Sequence, residues 1–310
     1  MEWKSAITAA AARTEGYVVR TPVLDVAGFG LENPVALKLE QLQHTGSFKA
    51  RGAFNTLLSK PVPGAGLVAA SGGNHGAAVA FAARQLGHKA HIFVPEIAGP
   101  SKIALIRDIG VDLTVVPGEY ANAMQLAREY EAETGAMQIH AYDARETVEG
   151  QGSCLLEWED QGLNADTVLI AVGGGGLIGG ALAWLEGRRK VVAVEPVTSC
   201  ALNSALAAGG PVDVEVSGVA ANALGARRIG AICYDLVRRY GVESVLVDDA
   251  AITAAQHRLW RQHRLLVEPA GAAALAALLS GAYQPAPGES VAVLVCGGNI
   301  APDPFPIAPK

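Results

Sequence analysis

The stretch Thr167-Val168-Leu169-Ile170-Ala171-Val172-Gly173-Gly174-Gly175-Gly176-Leu177-Ile178-Gly179-Gly180-Ala181-Leu182-Ala183-Trp184-Leu185 carries no charge from end to end. Its length alone suits a membrane span. Its order does not, because four consecutive glycines would leave flexible backbone in mid-bilayer. A β-branched run, a glycine loop and a helix starting near Leu177 explain the same residues. A strand that feeds a helix through a tight glycine turn is the unit of an α/β protein with a parallel sheet.

The same alternation extends in both directions. Upstream, strands read at Val35–Glu40, Leu67–Ala70, Lys89–Pro95, Val111–Pro117 and Met137–Ala141. Helices read at Ala77–Leu86, Ser101–Ile109 and Glu119–Thr134, with another after Lys49. Downstream, strands read at Val191–Glu195, Ser244–Val247 and Val291–Val295. The two series predict two α/β layers, each with its own sheet, and a proline-rich, irregular tail at Ile300–Lys310.

Ligands of open parallel sheets bind beyond the carboxyl ends of the strands. Three segments stand there: Ser71-Gly72-Gly73-Asn74-His75-Gly76, Gly173 to Gly176, and Cys296-Gly297-Gly298-Asn299. The glycine run suits a phosphate, since backbone amides converge where no Cβ intervenes and a helix N-terminus adds positive potential. Gly174, Gly176 and Gly179 also satisfy the dinucleotide fingerprint, with Glu195 about where its acidic residue belongs. A plain tight turn is the bland alternative. The Ser71–Gly76 loop offers amides, a hydroxyl and a side-chain amide suited to a carboxylate, although Asn74 alone reads as a cap and His75 alone as a packing residue. Cys296 closes an apolar strand and by itself reads as a small hydrophobe. Glu268, between apolar segments, is either a helix-start acid or part of a site.

Lys49 lies in Gly46-Ser47-Phe48-Lys49-Ala50-Arg51-Gly52. Ala50, Ala53, Phe54, Leu57 and Leu58 follow at helical spacing, and Ser47 occupies the expected N-cap. A lysine in the first turn of a helix faces the unfavourable end of the dipole, and burial depresses its pKa further. Such an amine is neutral enough to form a Schiff base.

Composition narrows the class. The chain has 310 residues, half of them apolar, with 36 glycines and a net charge of −6. No basic cluster stands out, so nucleic acid and anionic membranes are not expected partners. Cys154, Cys200, Cys233 and Cys296 are scattered without a CxxC pair, which argues against a structural zinc site and for a reducing, cytoplasmic setting. The N-terminus lacks the apolar core of a signal peptide.

With GSFKARG, SGGNHG, GGGGL and CGGN in that order, the chain resembles the fold-type-II pyridoxal-phosphate enzymes, most closely the threonine/serine dehydratases (ammonia-lyases), with serine racemase as a relative. The resemblance implies a tryptophan synthase β-subunit-like α/β architecture of two open, mostly parallel sheets. It implies a large cofactor-binding domain of residues 1–42 and 146–310 and a small domain of 43–145. It implies that Lys49 carries pyridoxal 5′-phosphate and removes the substrate Cα proton. By the same resemblance, Phe48 would pack on the cofactor ring, Asn74 would bond its 3′-oxygen, and Gly173, Gly174, Gly175, Gly176 and Leu177 would hold its phosphate. Cys296 would face its ring nitrogen, and Ser71, Gly72, Gly73, Asn74 and His75 would take the substrate carboxylate.

The implied reaction is loss of water from L-threonine or L-serine by a cytoplasmic homodimer. Another 3-hydroxy amino acid (3-hydroxyaspartate or a bulkier one) and a racemase are the alternatives. Racemases of this type carry a serine at Gly72 that protonates the opposite face of Cα, and its absence favours elimination. Of their divalent-cation site only Glu195 matches, the aspartate position falling on Ala201, so a monovalent cation held mainly by carbonyls is the expectation there. No C-terminal regulatory domain is expected after CGGN. A nicotinamide-dependent oxidoreductase is the remote alternative and leaves Lys49 and CGGN without a role. A catalytically silent binding protein on the same fold leaves an intact Lys49 unexplained.

Overall fold

The computed structural model describes residues 2–27, 29–30, 34–118 and 120–300. The tail 301–310 and the expected helix start at Glu119 lie outside them. Among the described residues, ten strands form two sheets: β1 (Val23–Val26), β2 (Val35–Leu39), β3 (Leu67–Ala70), β4 (Ala90–Pro95), β5 (Asp112–Val116), β6 (Met137–Gln138), β7 (Thr167–Ala171), β8 (Lys190–Pro196), β9 (Glu243–Val247) and β10 (Val291–Val295). The larger sheet runs β1-β2-β10-β7-β8-β9 and the smaller β5-β4-β3-β6. All pairings are parallel except β1 with β2. The central strands β7 and β10 are buried at every residue, the signature of a sheet covered on both faces.

Eight helices concern the site: α1 (Trp3–Thr14), α2 (Lys49–Ser59), α3 (Asn74–Gln85), α4 (Pro100–Ile109), α5 (Tyr120–Thr134), α6 (Arg145–Asp160), α7 (Gly176–Leu185) and α8 (Ala201–Ala208). The helix after Lys49 forms as its periodicity predicts, but it is buried nearly all round. Its polar face, with Arg51, Asn55 and Thr56, is covered by α6 and α1 instead of water. Gly150 of α6 permits that approach, since a Cβ there would stand 2.6 Å from the Arg51 carbonyl oxygen.

A buried ion cluster fixes α2 from this face. The Arg51 guanidinium donates to Glu40 Oε1 and Oε2 at 2.7 and 2.8 Å and to Glu157 Oε2 at 3.0 Å. Lys38 Nζ, fully buried, donates to Glu157 Oε1 at 2.5 Å and to the Thr21 carbonyl at 2.8 Å. Burial works against the charge on Glu40, and the Arg51 guanidinium outweighs it, holding the carboxyl below its ordinary range.

Three local expectations need correction. Ser47 is not the cap of α2: that place belongs to Phe48, and the Ser47 hydroxyl is buried without a partner. The backbone of Ser47 is instead drawn into a β-bridge with Gly297. α3 starts at Asn74, three residues earlier than its apolar pattern, so Asn74 is helical and Gly73 is the cap. The strand expected at Met137–Ala141 pairs only over Met137–Gln138.

Candidate active site

Lys49 opens α2, and the segment before it, Gly46 to Phe48, is laced to the segment after β10. The Phe48 amide donates to the Cys296 carbonyl at 3.2 Å, Ser47 bridges Gly297, and the Gly298 amide donates to the Gly46 carbonyl at 2.9 Å. This lacing sets Lys49 beside Cys296. The Lys49 amine donates to the Ala141 carbonyl at 2.7 Å and stands 5.1 Å from the centre of the Phe48 ring. Burial pulls its pKa down to about 8, against an opposing pull from Cys296. The Cys296 thiol is itself pushed well up by burial and by Glu268, and it donates to the Ala270 carbonyl at 3.3 Å.

A cleft opens above this pair, walled by Phe48, Lys49, Asn74, Gly173 to Gly176, Leu177 and Cys296. All of these come from the separate stretches read in the sequence. Tyr142, Ala223, Leu224 and Glu268 also stand in the walls, and Ala171, Ile178 and Ala270 complete them. Of the first four, only Glu268 carried a sequence signal; Tyr142 lies in a stretch of mixed residues without periodicity. Ser71, Gly72, Gly73 and His75 are not part of the cleft wall. The His75 ring turns away to the Ile139 carbonyl at 2.9 Å, and burial with the nearby Lys49 charge pushes its pKa down to about 3. Only its backbone remains for a carboxylate.

The glycine loop is shaped by contact. Gly175 holds φ +92, a left-handed conformation that L side chains rarely adopt, and α7 begins at the next residue with its first amides unpaired within the helix. A Cβ on Gly174 would stand 2.3 Å from the Tyr142 ring, and one on Gly173 would stand 2.9 Å from the Leu224 Cα. Converging amides at a helix N-terminus hold an anionic phosphate. A partly neutral lysine amine nearby reacts with an aldehyde. This donor set fits pyridoxal phosphate.

A scan of family models matches residues 14–297 to the pyridoxal-phosphate dependent enzymes. The chain belongs to that family. It is 36% identical over 302 residues to a phenylserine dehydratase of Ralstonia pickettii, covering 95% of this chain and 92% of the relative. It is 34% identical to an L-threonine ammonia-lyase of Geobacter sulfurreducens, covering 86% of this chain and 67% of the relative. The solved structure of maize serine racemase superposes with a TM-score of 0.91 at 31% identity, covering 96% of this chain and 94% of that one. Membership accounts for the two mostly parallel sheets and makes pyridoxal phosphate the cofactor.

Two positions read in the sequence are packed in ways that limit what they can do. Both oxygens of Glu195 accept amides, from Leu202 and Asn203 at 2.8 Å each, so this carboxylate caps the start of α8. Its burial raises its pKa to about 7, offset by those amides. A cation there would depend on its remaining lone pairs and on backbone carbonyls. At Gly72, a Cβ would stand 2.3 Å from the Ala98 Cβ and 2.9 Å from Val94 Cγ1, so a side chain there would require Ala98 and Val94 to shift. No helix among the described residues is long and apolar enough to cross a membrane.

Proposed function

We propose that this protein is a pyridoxal-phosphate-dependent lyase that eliminates water from L-threonine or L-serine, giving the 2-oxo acid and ammonia. The observation that carries the reading is the neighbourhood of Lys49: a half-buried lysine whose pKa is pulled down to about 8 by desolvation, beside a thiol that stays protonated. When bound, the cofactor supplies a carbonyl that condenses with amino groups and a conjugated ring that draws electrons from Cα.

The chain's own residues do the rest. Lys49 Nζ would hold the cofactor, and its amine, when free, would take the Cα proton. Amides of Gly173 to Gly176 and Leu177 hold the phosphate, Phe48 packs on the ring, and Asn74 donates to the ring oxygen. The Ser71–Asn74 segment, with the backbone of His75, holds the substrate carboxylate. The Cys296 thiol, a poor acid, would stand toward the ring nitrogen and would leave it without a full positive charge. Such a ring would draw electrons less strongly from Cα, which favours prompt departure of the β-hydroxyl.

Elimination is supported further by the names of the relatives and by the packing of Gly72 against Ala98. A bulkier 3-hydroxy amino acid is the second reading, favoured by the phenylserine dehydratase relative. We also assign residues 1–42 and 146–310 to a large domain and 43–145 to a small one, because β3 to β6 all fall inside 43–145. A cytoplasmic setting, supported by the free cysteines, and a homodimer complete the reading.

Borohydride reduction followed by peptide mapping tests the assignment and should place the cofactor on Lys49; label on any other lysine overturns it. Ammonia release across serine, threonine, 3-hydroxyaspartate and phenylserine then fixes the substrate. D-serine forming as fast as pyruvate from L-serine would make the racemase reading the better one.

A further inference from the structure

Asn299, the last residue of CGGN, does not line the cleft, yet its side chain meets the one amide that does. Its Nδ2 donates to Asn74 Oδ1 at 2.8 Å and to the Thr45 carbonyl at 2.7 Å. Asn74 Nδ2 in turn donates to Glu268 Oε1 at 2.5 Å.

The sense of this chain of hydrogen bonds is fixed at one end. A backbone carbonyl can only accept, so Asn299 must turn its NH2 toward Thr45, and both hydrogens of that NH2 are then committed. Asn74 must answer with its oxygen. Its own NH2 is thereby aimed away from Asn299, one hydrogen on Glu268 and the other free.

The Thr45 carbonyl is aimed by an unusual backbone. Thr45 holds φ 58, a left-handed conformation that is an outlier for a β-branched residue, and such strain persists only where the surroundings over-determine it. Gly46 follows so closely that a Cβ there would stand 2.5 Å from Asn299 Oδ1. Loop and amide are therefore built against each other.

We propose that Asn299 is a positioning residue that fixes which way the Asn74 amide faces, so that Asn74 presents a hydrogen-bond donor to the cofactor ring oxygen. The inference rests on the assignment of Asn74 to the cofactor made above. It adds a residue outside the cleft wall that acts only through Asn74.

The test uses the full chain, stripped of cofactor and reloaded with pyridoxal phosphate, for the wild type and for Asn299→Ala, Asn299→Ser and Asn299→Asp. Cofactor dissociation constants, the absorption maximum of the bound cofactor and the melting temperature of the cofactor-free protein are measured together. Asn299→Ala should weaken cofactor binding about tenfold, the size of one lost oriented contact, and shift the absorption maximum. Asn299→Ser keeps one donor and should recover part of both. Asn299→Asp should be worse than Asn299→Ala. A carboxylate facing the Thr45 carbonyl and Asn74 Oδ1 repels both and turns the Asn74 amide over, presenting an acceptor to the ring oxygen.

Wild-type affinity and an unmoved absorption maximum in Asn299→Ala and Asn299→Ser overturn the proposal, whether or not Asn299→Asp folds. Weakened binding that tracks only a lower melting temperature, with the absorption maximum unmoved, also overturns it and makes Asn299 a clamp on the 44–46 loop. Labelling of a lysine other than Lys49 in the wild type would instead count against the functional reading.

Discussion

Lys49 is governed more by its surroundings than by its side chain. Burial brings the amine to about 8, and the opposing pull of Cys296 is weak because that thiol stays protonated. The direction matters for chemistry: a lowered lysine pKa means a larger share of free amine near neutral pH, and only the free amine attacks an aldehyde. The rate of cofactor attachment to the stripped protein should rise about tenfold per pH unit on the acid side and level off above about pH 8, two units below an ordinary lysine. Stopped-flow absorbance across that range checks it. A rate still climbing at about pH 10 would mean that the amine is solvated.

Helix α2 carries Lys49, and what holds α2 is the buried cluster of Arg51, Glu40, Glu157 and Lys38. Removing one partner of such a pair strands an uncompensated charge, at a cost of about 3–5 kcal/mol. Arg51→Met should cost that much by urea denaturation, with the loss concentrated on Glu40, which is fully buried. A change below about 1 kcal/mol would show that Glu40 finds another partner or a proton. The same cluster marks the limit of what the sequence discloses. Strand β10 is read residue for residue because an unbroken apolar run has no other use in a parallel sheet. The polar face of α2 reads as a solvent face, because periodicity reports apolarity and cannot tell water from a paired ion. Strand β1 escapes notice because Val23–Val26 is a half-exposed, antiparallel edge. Lys49 and the glycine loop are legible from local chemistry. Asn299 is not, since an asparagine after two glycines reads as a turn, and its role depends on Asn74 and Thr45, both far away in sequence.

The two sheets meet at the cleft, and each contributes walls that the other lacks. Asn74 follows β3 of the smaller sheet, while Gly173 to Gly176 follow β7 and Cys296 follows β10 of the larger. A ligand held from both sides binds only the folded arrangement in which the sheets are in register, so its binding free energy adds to folding. At free cofactor about 100 times its dissociation constant that contribution is about 2.7 kcal/mol. For 310 residues the unfolding entropy makes each kcal/mol worth roughly 1.5 °C of melting temperature. Loading with pyridoxal phosphate should therefore raise the melting temperature of the stripped protein by about 4 °C. Pyridoxal without its phosphate should give a smaller rise, because it engages Lys49 but leaves the amides at the start of α7 unfilled. Lys49→Ala should keep part of the rise, because the phosphate cradle remains intact. Calorimetry of the three combinations checks the argument. An equal rise with pyridoxal and with its phosphate would mean that the glycine loop is a turn and not a cradle.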